Sequence, residues 1–195
     1  QGIYDVGMVF NADSYPAFGL QTMGEKAIAA TQPDGNMSLD LKIEQVKQYP
    51  TKDGEVTEIL LKDKVYPFEI KQYYKAYQGT DIISTWIEIM NNGKKSVTLY
   101  RFVSAYLPVQ RGDNWLTHFH GHWGAENMLE EEKLTNGQKV ISNKDGMVNT
   151  ETDNPSFMLS IDGKPQEEYG HILGGTLAWT GNYLLKMDIT NTKLN

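Results

Sequence analysis

His118, His120 and His122 occupy alternate positions in one stretch, Asn114-Trp115-Leu116-Thr117-His118-Phe119-His120-Gly121-His122-Trp123-Gly124-Ala125-Glu126. It holds three of the four histidines and two of the four tryptophans, so any imidazole chemistry in the chain is concentrated here. Neutral imidazole is the commonest side-chain ligand for transition metals. On an unbroken strand alternate residues share a face, which would set successive members of the trio roughly 7 Å apart. Two readings compete. Either the histidines form a metal site, or the tryptophans and glycines are a structural signature that carries the histidines as passengers. Trp115 to His120 reads as a strand and Gly121 as its break. Ala125 to Leu134 reads as a helix closed by Asn136-Gly137, with Glu130-Glu131-Glu132 as its solvated face.

Other catalytic constellations are missing from the sequence. It has no Gly-x-Ser-x-Gly elbow and no glycine-rich phosphate loop. With no cysteine it has no thiolate nucleophile, disulfide framework or cysteine-based metal centre. Glycoside hydrolysis needs two carboxylates flanking one bond, about 5–5.5 Å apart in a retaining enzyme. Twenty-five acidic residues leave such a pair open, but no spacing singles one out. A net charge of −7 without Lys/Arg clusters argues against a nucleic-acid partner. No apolar run approaches the length of a membrane-spanning helix. The chain starts at Gln1. If a signal peptide was removed there, the protein is expected in the periplasm or outside the cell, and otherwise in the cytoplasm.

The elements that must position these residues are strands. Asp34-Gly35-Asn36, Asp53-Gly54, Asn92-Gly93, Asp145-Gly146, Asp162-Gly163 and Gly181-Asn182 mark turns, since Gly and Asn accept positive φ at little cost. Between them lie period-two runs. Leu39, Leu41 and Ile43 alternate with charged residues, which predicts one buried and one wet face. Thr57, Ile59 and Leu61 follow, then Phe68, Ile70, Tyr74 and Ala76, then Ile83, Thr85, Ile87 and Ile89, then Val97, Leu99 and Val103. Later runs cover Gln138 to Ser142, Phe157 to Ile161, Ile172 to Trp179 and Tyr183 to Ile189. A weaker run covers Tyr4 to Phe10. About ten strands and one short helix predict an all-β sandwich, read as a single domain over residues 1–195.

Two family resemblances refine this. His120-x-His122-x-x-x-Glu126 resembles the first metal motif of cupins, but no second motif follows, and the remaining histidine is His171 in Tyr169-Gly170-His171-Ile172. Three other blocks resemble the N-terminal domain of glycoside hydrolase family 36, the retaining α-galactosidases. The first is Tyr15-Pro16-Ala17-Phe18-Gly19 with Thr31-Gln32-Pro33-Asp34-Gly35-Asn36-Met37-Ser38-Leu39. The second is Asp81-Ile82-Ile83-Ser84-Thr85-Trp86 with Ile89-Met90-Asn91-Asn92-Gly93. The third runs from Gly121-x-Trp123-x-x-Glu126 through Leu134-Thr135-Asn136-Gly137 and Asn154-Pro155-Ser156-Phe157. It ends at Tyr169-Gly170 and Gly175-Thr176-Leu177-Ala178-Trp179-Thr180-Gly181-Asn182-Tyr183. Their order and separations cover most of the chain.

The resemblance implies a β-supersandwich of the galactose-mutarotase type, preceding a (β/α)₈ barrel that carries the chemistry and is expected after residue 195. It implies no catalytic residue and no cofactor in this segment. The family nucleophile follows a lysine as Lys-x-Asp, but Lys186-Met187-Asp188 lies within the sandwich and reads as part of a strand. The domain's implied partners are its own barrel, an α-galactoside substrate through the parent enzyme, and further copies in a homo-oligomer. Candidates for the edge of the sugar pocket are Trp115, Trp123 and Glu126, with the Leu20–Glu25 loop. In tetrameric members that loop brings an acid to a neighbour's site; here it has no aspartate, and Glu25 is the acid it offers. The family has varied residues where His118, His120 and His122 stand, so no metal is assigned to them. An independent, lectin-like carbohydrate-binding sandwich is the second reading, and a cupin-like metal-binding protein the third.

Overall fold

Closely spaced turns leave little room for anything but antiparallel strands. The computed structural model of the protein describes residues 15–19, 25–110, 112–146, 152–179, 181–189 and 193–194. They contain fourteen strands and no helix, in two units, Gln1–Leu107 and Pro108–Asn195. The weak Tyr4 to Phe10 run and Leu20 to Gly24 lie outside the described residues.

The first unit contains β1 (Ile28–Thr31), β2 (Leu41–Thr51), β3 (Gly54–Asp63), β4 (Phe68–Tyr77), β5 (Ile83–Asn91) and β6 (Thr98–Phe102). β2 to β5 form a four-stranded antiparallel meander, and β1 pairs with β6. The core gathers Ala27, Ile28 and Ala30 from around β1 with Leu41, Leu61, Phe68 and Ile70 from the meander. Tyr15 anchors the chain to this core. Its hydroxyl donates to the Val103 carbonyl at 2.8 Å, and burial pushes its pKa up to about 12. The expected buried face is found at Leu39 and Leu41 but not at Ile43, which is exposed. β2 is an edge strand with a bulge between Ile43 and Gln45, and its Ile43 and Val46 are exposed.

The second unit contains β7 (Val109–Gln110), β8 (Trp115–His122), β9 (Ala125–Lys133), β10 (Gly137–Asn143), β11 (Ser156–Ser160), β12 (Ile172–Thr176), β13 (Tyr183–Ile189) and β14 (Lys193–Leu194). One sheet has the order β12-β11-β8-β9 and the other β10-β13-β14-β7. Leu116 and Leu159 of the first pack with Ile141, Tyr183, Met187 and Ile189 of the second, which makes this unit a sandwich. Gly175 of β12 is explained by close packing. A Cβ on Gly175 would lie 2.6 Å from the ring of Phe157, its cross-strand partner.

The expected helix from Ala125 to Leu134 is a strand. β8 does not end at Gly121; it continues to His122 and turns through Trp123-Gly124 into β9. Gly124 at φ 78° supplies a left-handed residue for the turn, and Asn127 at φ 52° one for the bulge in which Glu126 and Asn127 stand opposite Gly121. Helix propensity differs by only a few tenths of a kcal/mol per residue among Glu, Met, Leu and Lys. Ladder hydrogen bonds along a buried strand outweigh it, because the backbone of β8 must find partners on its second edge.

Candidate functional site

The β8–β9 hairpin carries most of the residues singled out from the sequence, and its register decides which of them meet. His118 lies directly opposite Glu130, and Leu116 opposite Glu132. Side chains of paired residues share a face, so His118, Glu130 and Glu132 project on the side of Leu116, toward the core. His118 is 2% exposed, and neither ring nitrogen has a hydrogen-bond partner among the described residues. An unpartnered buried polar group costs about 1–3 kcal/mol. Its Nε2 lies 3.6 Å from Glu130 Oε2 and 3.7 Å from Glu132 Oε1. His120 approaches from the rim, with Nδ1 3.7 Å from Glu130 Oε2. Lys139 of β10, on the facing sheet, forms an ion pair with Glu132.

The three histidines therefore do not act as one set. His118 is in the interior and His120 at its margin, with ring centroids 6.2 Å apart. His122, beyond the bulge, turns its Nδ1 to the Trp123 carbonyl at 3.0 Å. The fourth histidine, His171, pairs with Asp162, Nδ1 to Oδ2 at 2.9 Å, and that hydrogen bond holds the Asp162 carboxyl below its ordinary range. Sequence reasoning missed Glu130 and Glu132 as neighbours of His118, and Lys139 as the partner of Glu132. On a helix, residues two apart point in different directions, whereas on a strand they share a face.

The four candidates for a pocket edge are dispersed. Trp123 sits in the hairpin turn and is 82% exposed, with exposed Glu126 close by on β9. Trp115 begins β8, about 23 Å of strand from His122. Its ring lies under Lys164, whose Nζ is 5.5 Å from the ring centroid. Glu25 belongs to the first unit, where it is ion-paired with Arg101. Asp188 of the Lys-x-Asp triplet is half-buried on β13 and accepts from Gln138 Nε2 at 3.4 Å.

Glu130 and Glu132 do hold carboxylate oxygens within 4.8 Å of each other. Both project from the same face of one strand and aim at an imidazole, so they cannot stand on opposite faces of a sugar ring as glycoside hydrolysis requires. Two shallow depressions lie in the first unit, the larger about 550 Å³ and lined by Gln32, Pro33 and Lys95 among others. At their margin the Tyr66 hydroxyl donates to Asp34 Oδ2 at 2.8 Å and accepts from Asn36 Nδ2 at 2.9 Å. The Asn36 backbone N–H, first, and Tyr66, second, hold the Asp34 carboxyl below its ordinary range. Asp34 is thus a fixed turn anchor.

Comparison with known proteins adds what this geometry lacks. A sequence model of the glycosyl hydrolase family 36 N-terminal domain matches residues 7–194. The α-galactosidase AgaA of Geobacillus stearothermophilus is 23% identical over 190 residues, which is 90% of this chain and 26% of AgaA. The α-galactosidase Mel36A of Lactobacillus acidophilus is 26% identical over 198 residues, 92% of this chain and 27% of that protein. The chain thus spans about a quarter of the length of these relatives. Among solved structures, AgaA superposes with a TM-score of 0.83 over 92% of this chain and 28% of AgaA, at 22% identity. An α-galactosidase from Lactobacillus brevis gives 0.80 over 92% of this chain and 26% of its own, at 21% identity. AgaA variants have been crystallised with stachyose and with raffinose.

Proposed function

The chain belongs to the glycosyl hydrolase family 36 N-terminal domain family, and from that premise we propose that it is the non-catalytic N-terminal sandwich of a retaining α-galactosidase. One observation carries this reading. The match runs through nearly the whole chain yet covers about a quarter of relatives that are α-galactosidases. In this proposal the reacting carboxylates belong to a (β/α)₈ barrel following residue 195. Barrel enzymes draw their reacting groups from strand ends at the C-terminal face of the barrel. The sandwich supports that barrel, lends the Trp123–Glu126 turn to the rim of a pocket for a terminal α-galactose, and contributes contacts between copies in a homo-oligomer.

Nitrophenol release from an aryl α-galactoside tests it. Protein extended through the reading frame beyond Asn195 is expected to turn over, and the 195-residue chain alone to release none. Activity in the chain alone, abolished by replacing one of its own acids, would falsify the assignment.

Exposure of Trp123 favours a second reading, an autonomous sugar-binding module, because an open indole face is a common platform for a sugar ring. A single aromatic face does not offset the entropy lost on association. Titration with galactose, melibiose or raffinose is therefore expected to show no saturation below roughly millimolar concentration, about −4 kcal/mol. Tight, saturable binding lost in Trp123→Ala would establish the module reading instead.

A further inference from the structure

We propose that His118, Glu130 and Glu132, with His120 at the rim, form a binding site for a divalent transition-metal ion of the zinc type that ties β9 to β8. The argument starts from the buried imidazole. His118 has a side chain only 3% exposed, yet both ring nitrogens go unpartnered among the described residues while the ring aims at two carboxylates. Leu116 and Phe157, its neighbours along and across the strands, offer it nothing polar.

The separations fit a shared cation. A hydrogen bond between imidazole and carboxylate would bring N and O to about 2.7–3.0 Å. The pairs here stand at 3.6, 3.7 and 3.7 Å, too far for that bond. A tetrahedral zinc ion with bonds of about 2.0–2.2 Å spaces its ligand atoms by about 3.3–3.6 Å. One atom each from His118, Glu130 and Glu132 already lies within 4.8 Å of the others, so side-chain rotation closes the set without moving the backbone. Imidazole nitrogen with carboxylate oxygen is a donor set suited to zinc.

Charge points the same way. Lys139 meets Glu132, whereas Glu130 has the imidazoles of His118 and His120 as its ion-pair neighbours. Lys139 then acts as a competitor, because the metal must displace its ammonium from Glu132. That gives the proposal a signature that an exposed histidine cluster would not share. The site is independent of sugar chemistry and survives or fails apart from the galactosidase assignment.

The test is calorimetric titration of untagged, chelator-treated full chain with zinc, repeated with cobalt to read the visible absorption of a four-coordinate ion. One equivalent per chain is expected, weakened at least about tenfold by Glu130→Gln and by Glu132→Gln. Lys139→Gln is expected to tighten binding several-fold, and His122→Gln to leave it unchanged. Thermal melts of each variant, with and without zinc, separate lost binding from lost folding. Failure of the parent chain to take up zinc or cobalt overturns the proposal. So does uptake that survives both glutamate changes, or that disappears with His122→Gln.

Discussion

The β3–β4 ladder and the β8–β9 hairpin both place charged residues on paired strands, and they treat them differently. In the first, opposite charges meet across the strands. Lys62 lies 3.5 Å from Glu69 and within reach of Glu44, while Lys71 lies 3.7 Å from Glu58. On the adjoining β4–β5 ladder the Tyr73 hydroxyl donates to Glu88 at 3.0 Å, and its ring stacks on Trp86 at 4.9 Å. Along β8–β9, two carboxylates converge on an imidazole with no short contact to it. A ladder that balances its own charge needs nothing further to be stable. One that concentrates donor atoms around a buried ring is poised to bind something.

The largest test concerns what the two regions share, an apolar inner row. Phe68→Ala and Leu116→Ala, at two of the most deeply buried positions, should cost about 3–5 and 2–5 kcal/mol in urea denaturation. A loss below 1 kcal/mol for Leu116→Ala would mean that β8 does not face a core, and the comparison would fail.

Next comes the contrast itself. In chelator-treated protein, His118→Leu should raise stability by about 1 kcal/mol, recovering part of the penalty of an unpartnered buried group. A loss of stability would show that the imidazole has a partner in solution. The Tyr73–Trp86 stack marks the satisfied counterpart. A double-mutant cycle to Leu should give a coupling of about 0.5–1.5 kcal/mol, and additivity would remove the stack from the account.

The smallest effect is read by pH. The Lys75 hydrogen bond is the main cause holding the Asp53 carboxyl below its ordinary range, with the two groups 2.6 Å apart. A depressed carboxylate pKa gives stability that is present above the unfolded value and lost as pH falls through the folded one. In a carboxyl NMR titration Asp53 should therefore have a midpoint below that of an unpaired aspartate, and Lys75→Gln should raise it. An unmoved midpoint would dismiss this pair as a crossing of flexible side chains.

The meander was the more legible of the two regions. Asp53-Gly54 announced the turn between β2 and β3, and alternation placed Leu61, Phe68 and Ile70 in the core, as found. Periodicity held for Leu39 and Leu41 and ran out at Ile43, which the edge strand leaves exposed. The helix assigned from Ala125 onward failed for a different reason. Glu130-Glu131-Glu132 has no alternation to reveal a strand, and only the ladder with β8 sets its conformation. That one error also hid the candidate site, since a helical reading sends Glu130 and Glu132 away from His118. Trp115 and Trp123 belong to one sequence stretch yet mark opposite ends of a hairpin, a separation that identity and spacing alone do not encode.

The bulge in β2 bears on how the protein avoids its own copies. A straight edge strand showing Ile43, Val46 and Tyr49 to solvent would be a template for a second β2, and so for a growing ribbon of identical chains. Glu44 interrupts that template as the bulged residue, with no register partner in β3. Pro50 withholds a backbone donor near the far end, and Lys42 and Lys47 place like charges wherever two such edges would meet. Deleting Glu44 would leave the fold's contacts nearly intact while straightening the one border that must stay unsociable. An edge built this way answers to edge-to-edge pairing as well as to the stability of the sheet behind it.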